Sequence, residues 1–434
     1  MRLLSNLRHL LQGQRFRQLF TVRVTSQAGD GVLQVALASY VLFSPERQPD
    51  AAAIAAGLAA VLLPFSVLGP FAGVLLDRWR RRQILVVSNV IRVVPVLAAA
   101  GLIAADHNGP TLFALVLLAF SVNRFFLAGL SAALPHVVEP DELVLANSIT
   151  PTAGTVAFIG GLGLATVARQ VLPFAEPDGL IAVAAALTYA AAALLALRLP
   201  RDLLGPDFDP ALPDVRRALG NVMHGLLAGI AHLRQRPSAA HALGVISAHR
   251  FFYGLSTVAT ILLYRNYFND PRDTDAGLAG LSIAVLVSGL GFLAAAVLTP
   301  IATQRMSTTT WMLVLLMAAA VFEVFPGGLY TEPSLLVAAF VLGVSAQGVK
   351  ICVDTLVQTG VDDAFRGRVF SLYDVAFNVV FVAAAALGAV TIPADGKSYG
   401  VLALIAGGYA ATAVAYALAR RHTTAATAEA SEQS

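Results

Sequence analysis

The chain alternates between long apolar runs and short polar breaks. A helix that crosses a bilayer needs roughly 20 mostly apolar residues, and runs of that kind recur about twelve times between breaks rich in Pro, Gly, Asp and Asn. Because these runs are apolar on every side, they predict spanning helices and not the shorter, alternating strands of a membrane barrel. The predicted spans are residues 17–43, 52–76, 83–105, 111–137, 146–172, 179–198, 240–266, 277–303, 309–326, 334–358, 368–392 and 398–419.

A long polar interval divides the predicted spans into two groups of six. It extends from Leu199 to about Ser238, and its part from Val215 to Arg234 has apolar residues on one helical face. That pattern is typical of a helix that lies on the inner face of a membrane. We therefore predict an all-α polytopic membrane protein with twelve transmembrane helices in two pseudo-symmetric six-helix bundles.

The domain organisation follows from this division. We predict an N-terminal bundle at residues 1–198, a cytoplasmic linker with an amphipathic helix at 199–238, and a C-terminal bundle at 239–421. The Ala/Thr/Glu-rich residues 422–434 are predicted to form a disordered tail. A weak sequence repeat at a constant offset of 223 residues relates the two halves, and internal repeats of this kind are common in transporters.

Composition supports lipid as the main solvent of the chain. Of the 434 residues, 57% are hydrophobic and 13% are charged, and the mean hydropathy is +0.73. Soluble domains are typically about 45–50% apolar and about 25% charged, so this chain has too little polar surface to cover a soluble globule. The single cysteine, Cys352, excludes an internal disulfide and a cysteine-based metal site.

The basic residues indicate the orientation in the membrane. If the N-terminus is inside and the spans alternate, nineteen of the 29 Lys and Arg residues lie at cytoplasmic breaks, five lie outside, and five lie within apolar runs. Cytoplasmic loops carry such an excess of positive charge in membrane proteins generally. We therefore expect a multi-pass protein of the cell membrane with both termini in the cytoplasm.

The break after the second span carries a motif of glycine, apolar residues, an Asp-Arg pair and a run of arginines. It is similar to the signature between spans two and three of the major facilitator superfamily, which the chain resembles over nearly its whole length. Arg80 departs from the family pattern, which has a glycine there. A network of Asp77 with the arginines would close the cytoplasmic side and break on inward opening, whereas a purely topological role would require only the arginines. The predicted cytoplasmic gate consists of Gly73, Asp77, Arg78, Arg81 and Arg82.

Further motifs resemble the drug- and siderophore-exporting branches of that family. Gly29-Asp30-Gly31 in the first span resembles their Gly-Asp pair, and residues 356–358 with 366–371 resemble their loop between spans ten and eleven. The basic motif of span four is half present, with Arg124 followed by a glycine five residues later instead of four. The resemblance implies an efflux transporter that alternates between inward-open and outward-open states.

Ionisable side chains inside the apolar runs are candidates for the mechanism. Each costs about 2.5–3.5 kcal/mol on insertion scales, so each requires a partner or a function. The resemblance implies that spans one, four, seven and ten line a central cavity, and each of them carries such side chains. A carboxylate that loses an opposed cation can take up a proton, so we expect this set to bind substrate or couple its transport to protons. The set is Asp30, Arg124, His249, Arg250, Lys350 and Asp354.

Structural roles remain open for several ionisable residues. Lys350 and the carboxylate four residues later share one helical face and can form an ion pair that only neutralises itself. His249 can be a core histidine whose hydrogen bonds are satisfied, and Arg92 in span three can pair with an acidic neighbour such as Asp30. Glu323 lies near the outer end of span nine, within reach of water, and is expected to be structural.

Three functions remain open for the chain. The first is proton-coupled export of amphiphilic small molecules by antiport, the second is export of a siderophore or peptide-like metabolite, and the third is a membrane sensor that does not transport. The sequence has neither a Walker-type loop nor a His-Glu-x-x-His motif. We therefore expect no enzymatic activity, no cofactor, no metal ion and no nucleic acid. The expected partners of this monomer are a small-molecule substrate, protons and the lipid bilayer.

Overall fold

Long α-helices account for most of the computed structural model, which describes residues 10–37, 50–59, 62, 79–105, 107, 109–171, 178–205, 222–271 and 273–432. Within these ranges there is no β-strand, and ten helical segments are long and apolar enough to cross a bilayer. The long helices are α1 (Gln14–Leu37), α2 (Arg81–Ala104), α3 (Pro110–Ala133), α4 (Leu143–Val171), α5 (Asp178–Leu197), α6 (Val222–Arg234), α7 (Pro237–Leu262), α8 (Thr274–Thr303), α9 (Thr308–Val324), α10 (Glu332–Gly360), α11 (Asp363–Thr391) and α12 (Tyr399–Glu432).

Local signals in the sequence explain where several helices begin. Pro110 and Pro237 stand in the first turn of α3 and α7. A backbone N–H in the first turn has no acceptor within the helix, so proline loses no hydrogen bond there, and its fixed φ suits a helix. At the start of α9, the Ser307 hydroxyl accepts a hydrogen bond from the backbone N–H of Thr310 at 3.1 Å. These residues therefore set the helix starts after polar breaks.

The contacts divide the chain into two compact units. The first comprises Met1–Ser44, Pro64–Gly229 and Asp362–Val375, and the second comprises Pro45–Leu63, Ile230–Val361 and Ala376–Ser434. The boundary between Gly229 and Ile230 falls inside the predicted linker at 199–238, while the first residues of α11 belong to the first unit. The side chain of Asp363 bonds there to Arg81 of α2.

Helices of the first unit pack through small residues. Helix α1 packs on α4 and α5, and α2 packs on α3 and α5. A Cβ added at Gly31 of α1 would overlap the backbone carbonyl of Phe158, and one added at Gly161 of α4 would overlap that of Ala28. Only glycine permits so close an approach of two backbones inside a membrane, so these residues fix where α1 crosses α4.

The second unit uses the same device at another helix pair. Helix α8 packs along α10, while α9 packs on α10 and α12, and α7 packs on α10 and α12. A Cβ at Gly291 of α8 would overlap the carbonyl of Phe340, and one at Gly343 of α10 would overlap that of Ser288. The Tyr253 hydroxyl of α7 lies 3.5 Å from the Ser288 hydroxyl of α8.

The described helices follow the predicted spans, with two differences. Helix α6 begins at Val222, and the earlier part of the predicted amphipathic segment lies outside the described residues, as does most of the predicted second span. Helix α12 continues to Glu432, whereas residues 422–434 were predicted to be disordered. Residues 422–432 are rich in alanine and glutamate, which favour helix strongly, so the preceding helix can continue through them.

Candidate functional site

A buried ion pair lies at the centre of the first unit. Asp30 of α1 and Arg92 of α2 are in contact, with 10% and 0% of their side-chain surface exposed. Arg92 Nη2 donates to Asp30 Oδ1, the Tyr189 hydroxyl of α5 donates to the same oxygen at 2.9 Å, and Asn123 Nδ2 of α3 donates to Oδ2 at 3.1 Å. Side chains from three other helices thus hold the carboxylate, and together these four residues form the Asp30 cluster.

The guanidinium of Arg92 is fixed as firmly as the carboxylate. Arg92 Nη1 donates to Ser26 Oγ at 3.1 Å, and that hydroxyl donates to Asn89 Oδ1 at 2.8 Å. Arg92 Cζ lies 3.7 Å from the ring centroid of Tyr189, which is close enough for a cation–π contact. The arginine therefore cannot move without breaking contacts to α1 and α5.

In the Asp30 cluster, the carboxylate of Asp30 is neutralised by a single charged partner, Arg92. Removing one member of a buried ion pair leaves an uncompensated charge, which typically costs about 3–5 kcal/mol. If Arg92 were drawn away, Asp30 would retain only the neutral donors Asn123 and Tyr189, and a proton would become the simplest source of neutrality. The charge balance of the cluster therefore depends on the contact between Arg92 and Asp30.

A second charged cluster joins α2 to the start of α11 within the first unit. Both terminal nitrogens of Arg81 donate to Asp363 Oδ1 at 3.1 Å, and Arg366 donates to the same oxygen. Arg81 Nη1 also donates to the carbonyl of Leu204 at 3.0 Å, and His136 Nε2 lies 3.6 Å from Asp363 Oδ1. We refer to Arg81, His136, Asp363 and Arg366 as the Arg81 cluster.

The predicted cytoplasmic gate overlaps with the Arg81 cluster. Arg81 is fully buried, and Arg82 donates to the carbonyl of Leu197 at 2.7 Å. Arg80 pairs with Asp202 at 2.7 Å in an exposed position. The other predicted gate residues lie outside the described residues; they are Gly73, Asp77 and Arg78.

The predicted cavity residues of the second unit each have partners. Lys350 donates to Asp354 one helical turn away, as their spacing predicts. His249 is buried, lies 3.2 Å from the Ser345 hydroxyl through Nε2, and packs against two tyrosine rings. Arg250 Cζ lies 4.1 Å from the ring centroids of both Phe377 and Phe381. Within the second unit, His249 has the environment of a core histidine.

Two members of the Asp30 cluster were missed by sequence reasoning. Arg124 was the predicted charged residue of span four, and the structure places it half-buried on α3. The α3 residue that bonds to Asp30 is its neighbour Asn123. An asparagine beside a predicted functional arginine was the available signal, but Tyr189 stands in an alanine-rich helix with no local motif.

Several known proteins are similar to this chain. Proteins of Mycobacterium bovis and Mycobacterium tuberculosis, both named uncharacterized MFS-type transporters, are 36% identical to it over 392 residues, which is 88% of this chain and 86% of each relative. The crystal structure of the human organic anion transporter MFSD10 matches 92% of this chain and 99% of its own with a TM-score of 0.68 at 15% identity. A bacterial homologue of the iron transporter ferroportin, in an outward-facing state, matches 93% of this chain and 99% of its own with the same score of 0.68 at 16% identity.

The family assignment rests on a match along most of the chain. The model of the Major Facilitator Superfamily matches residues 19–385. The solved proton:xylose symporter XylE also shares the fold, covering 92% of this chain and 94% of its own with a TM-score of 0.64 at 13% identity. These likenesses confirm the predicted twelve-helix fold. The chain belongs to the Major Facilitator Superfamily and is a multi-pass membrane transporter.

Proposed function

We propose that the chain is a proton-coupled exporter of amphiphilic small molecules that works by alternating access, with Asp30 as the residue that takes up the proton. The observation that carries this proposal is the buried Asp30 cluster, in which one arginine supplies all of the described neutralising charge. A charge pair of this kind inside a membrane marks a candidate proton or substrate pathway. The resemblance of residues 29–31 to exporting branches supports the direction.

The proposed coupling uses competition between a proton and Arg92. When Arg92 contacts Asp30, the ion pair holds α1 against α2. A proton on Asp30 removes the attraction and releases the arginine, which biases a two-state transporter towards its other conformation. The Arg81 cluster is a second charged contact, and we propose that it opens in the inward-open state.

The substrates of proteins with a similar fold do not indicate which substrate this chain transports. The structures with this fold include an organic anion transporter, a homologue of an iron transporter and a proton:xylose symporter, all at 13–16% identity. We base the choice of amphiphilic substrates on the chain itself, where aromatic residues accompany charged ones inside the spans. Arg250 between Phe377 and Phe381 is one described example.

Transport assays on inverted vesicles test the proposed coupling. Dye accumulation is followed with and without an imposed pH gradient for the parent chain, Asp30→Asn, and Asp141→Asn as a control at an exposed carboxylate. We expect Asp30→Asn to lose accumulation driven by the gradient while its folded fraction retains exchange of dye for dye, because asparagine cannot take up a proton. A double variant, Asp30→Asn with Arg92→Gln, restores neutrality and separates coupling from folding.

Three outcomes would contradict parts of this proposal. If the gradient has no effect on accumulation by inserted parent protein, proton coupling is wrong. If the chain transports a siderophore or peptide metabolite and no dye in a substrate screen, that alternative replaces drug-like export. If Asp30→Asn leaves transport unchanged but abolishes a signalling output, the sensor alternative gains support.

We also propose that the protein resides in the cell membrane as a monomer with both termini in the cytoplasm. The excess of basic residues at alternate breaks supports this orientation. Replacing Cys352 and introducing single cysteines at exposed positions in the breaks, such as Asp141→Cys and Ala394→Cys, tests it by labelling with an impermeant thiol reagent. We expect the first site to be labelled only after permeabilisation and the second in intact cells.

A further inference from the structure

One end of the second unit contains a cavity between α7, α8, α9, α10 and the start of α12. Much of its wall is aliphatic, with Leu281, Leu342 and Ile405 among the lining residues. Hydroxyl groups of Ser256 and Ser288 also line it. The breaks after α9 and before α12 border the cavity, and both lie on the side that the charge bias predicts to face outwards.

The acidic residue in this cavity is Glu323 of α9. Its side chain lines the cavity although only 6% of the residue is exposed. In the part of the chain that the structure describes, Glu323 accepts a hydrogen bond from the Ser256 hydroxyl at 3.3 Å and has no basic side chain within ion-pair distance. An expectation that Glu323 is a structural residue within reach of water does not account for this burial. A buried carboxylate requires a counter-charge or several donors to be stable, and one hydroxyl supplies neither.

The lining indicates which counter-charge fits. None of the described lining residues is Lys, Arg or His, so the cavity itself supplies no cation. The described residues also contain no group of three His, Cys, Asp or Glu side chains that could hold a metal ion. The rings of Tyr253 and Tyr330 line the cavity, and tyrosine faces attract organic cations. An ammonium group on an apolar body matches both the acid and the aliphatic wall.

We propose that this cavity binds a lipophilic amine with a single positive charge, the ammonium group against Glu323 and the apolar body against the aliphatic wall. The choice of ligand rests on the proposed transport of amphiphilic molecules, but the binding site lies in the second unit, apart from the Asp30 cluster. Asp30 has Arg92 as its cationic partner, whereas Glu323 has none among the described residues. The ammonium group of the ligand supplies this cation to Glu323.

A lysine beside the cavity limits the charge of the ligand. Lys397 Nζ donates to the Tyr267 hydroxyl at 2.9 Å and lies 5.4 Å from the ring centroid of Tyr330. The hydrogen bond that Lys397 donates to Tyr267 raises the pKa of Lys397, so this lysine stays protonated. The Tyr409 hydroxyl of α12 is buried, and among the described groups it has no hydrogen-bond partner. The cavity has one acidic side chain, which balances one positive charge, and the protonated lysine beside it would repel a second. A singly charged ligand is therefore favoured over a doubly charged one.

Binding to purified full-length protein in detergent tests this proposal without any pH gradient. Naphthylmethylamine and its neutral isostere naphthylmethanol are titrated by calorimetry against the parent chain, Glu323→Gln, Glu323→Asp and the control Glu332→Gln. Glu332 is an exposed glutamate at the start of α10, in the same unit. We expect the parent to prefer the amine by about tenfold or more, the gain that a charge-assisted hydrogen bond typically provides.

The outcomes separate this proposal from the proposed function. Loss of the preference in Glu323→Gln, with retention in Glu332→Gln and partial retention in Glu323→Asp, supports the site. Equal affinities for amine and alcohol in the parent, or an unchanged preference in Glu323→Gln, would overturn it. A pH dependence of alcohol binding that Glu323→Gln abolishes, with no preference for the amine, would make Glu323 a proton site only. Failure of pH-driven accumulation with the preference intact would contradict proton coupling and leave the amine site standing.

Discussion

The two units hold a buried acidic side chain in different surroundings. Asp30 of the first unit contacts Arg92 and accepts from Asn123 and Tyr189. Glu323 of the second unit accepts from Ser256 alone among the described residues and faces a cavity. The first acid is stabilised by its own protein, whereas the second has space beside it.

This difference separates two uses of a buried carboxylate. A resident cation makes an acid stable in the unloaded protein and sensitive to anything that moves the cation. A carboxylate beside an apolar cavity is stabilised when a ligand supplies a positive charge. Only such a ligand compensates for the removal of the carboxylate from water, so the buried acid makes binding specific for cations. The contrast therefore predicts that changes at the Asp30 cluster affect folding strongly, while changes at Glu323 affect binding with little effect on folding.

Replacing Arg92 should have the largest effect on stability. Arg92→Met leaves Asp30 buried beside neutral donors only, and we expect a loss of about 3–5 kcal/mol in the free energy of unfolding. Thermal unfolding followed by size-exclusion chromatography measures the loss. The double variant with Asp30→Asn should recover most of it, because no buried charge is then left alone. Equal stability of Arg92→Met and the parent would remove the basis for the comparison.

Removing the Tyr189 hydroxyl should have an intermediate effect. Tyr189→Phe keeps the ring that packs on Arg92 but deletes the hydrogen bond to Asp30 Oδ1. A hydrogen bond to a charged group contributes about 1.5–3 kcal/mol, so we expect a loss within that range in chemical unfolding. Tyr409→Phe on α12 is a matched control, because that buried hydroxyl has no hydrogen-bond partner among the described groups. Similar losses in the two variants would contradict a special role for Tyr189.

Removing the Ser256 hydroxyl should cost less. At 3.3 Å its hydrogen bond to Glu323 is long, and a typical net contribution is about 0.5–1.5 kcal/mol. We expect Ser256→Ala to lose no more than this in thermal unfolding, and to lose less when naphthylmethylamine is present. A loss as large as that of Tyr189→Phe would show that Ser256 is a main stabiliser of Glu323 and would weaken the contrast between the units.

The sequence predicted the helices and one ion pair well because both depend on local spacing. Helix α2 spans Arg81–Ala104 against a predicted span at 83–105, and Lys350 pairs with Asp354 across one helical turn. The pairing of Asp30 with Arg92 was one of several open alternatives, because apolar runs show depth in the membrane but not rotation about the helix axis. That rotation decides which neighbour an intramembrane charge meets.

Partners distant in sequence were beyond this reasoning. Arg81 meets Asp363 across 282 positions, and Tyr189 reaches Asp30 across 159, so neither contact leaves a local pattern. Glu323 was predicted to lie within reach of water because it is near the end of a span, whereas only 6% of the residue is exposed where it lines the cavity. A cavity forms where side chains from several helices leave a space unfilled, so the sequence of any one helix does not predict it.

Replacing Glu323 itself should have the smallest effect on stability and so gives the sharpest comparison with Asp30. Glutamine has nearly the shape of glutamate and keeps an oxygen that can accept from Ser256, and no described basic side chain loses a partner. We expect Glu323→Gln to change the free energy of unfolding by less than about 1 kcal/mol, the range of a single neutral hydrogen bond. Asp30→Asn, the same chemical change in the first unit, should cost about 3–5 kcal/mol because Arg92 is left buried without its carboxylate. If the two variants lose equal stability in parallel thermal unfolding, then Glu323 has a cationic partner within the protein, and its cavity has no need of a charged ligand.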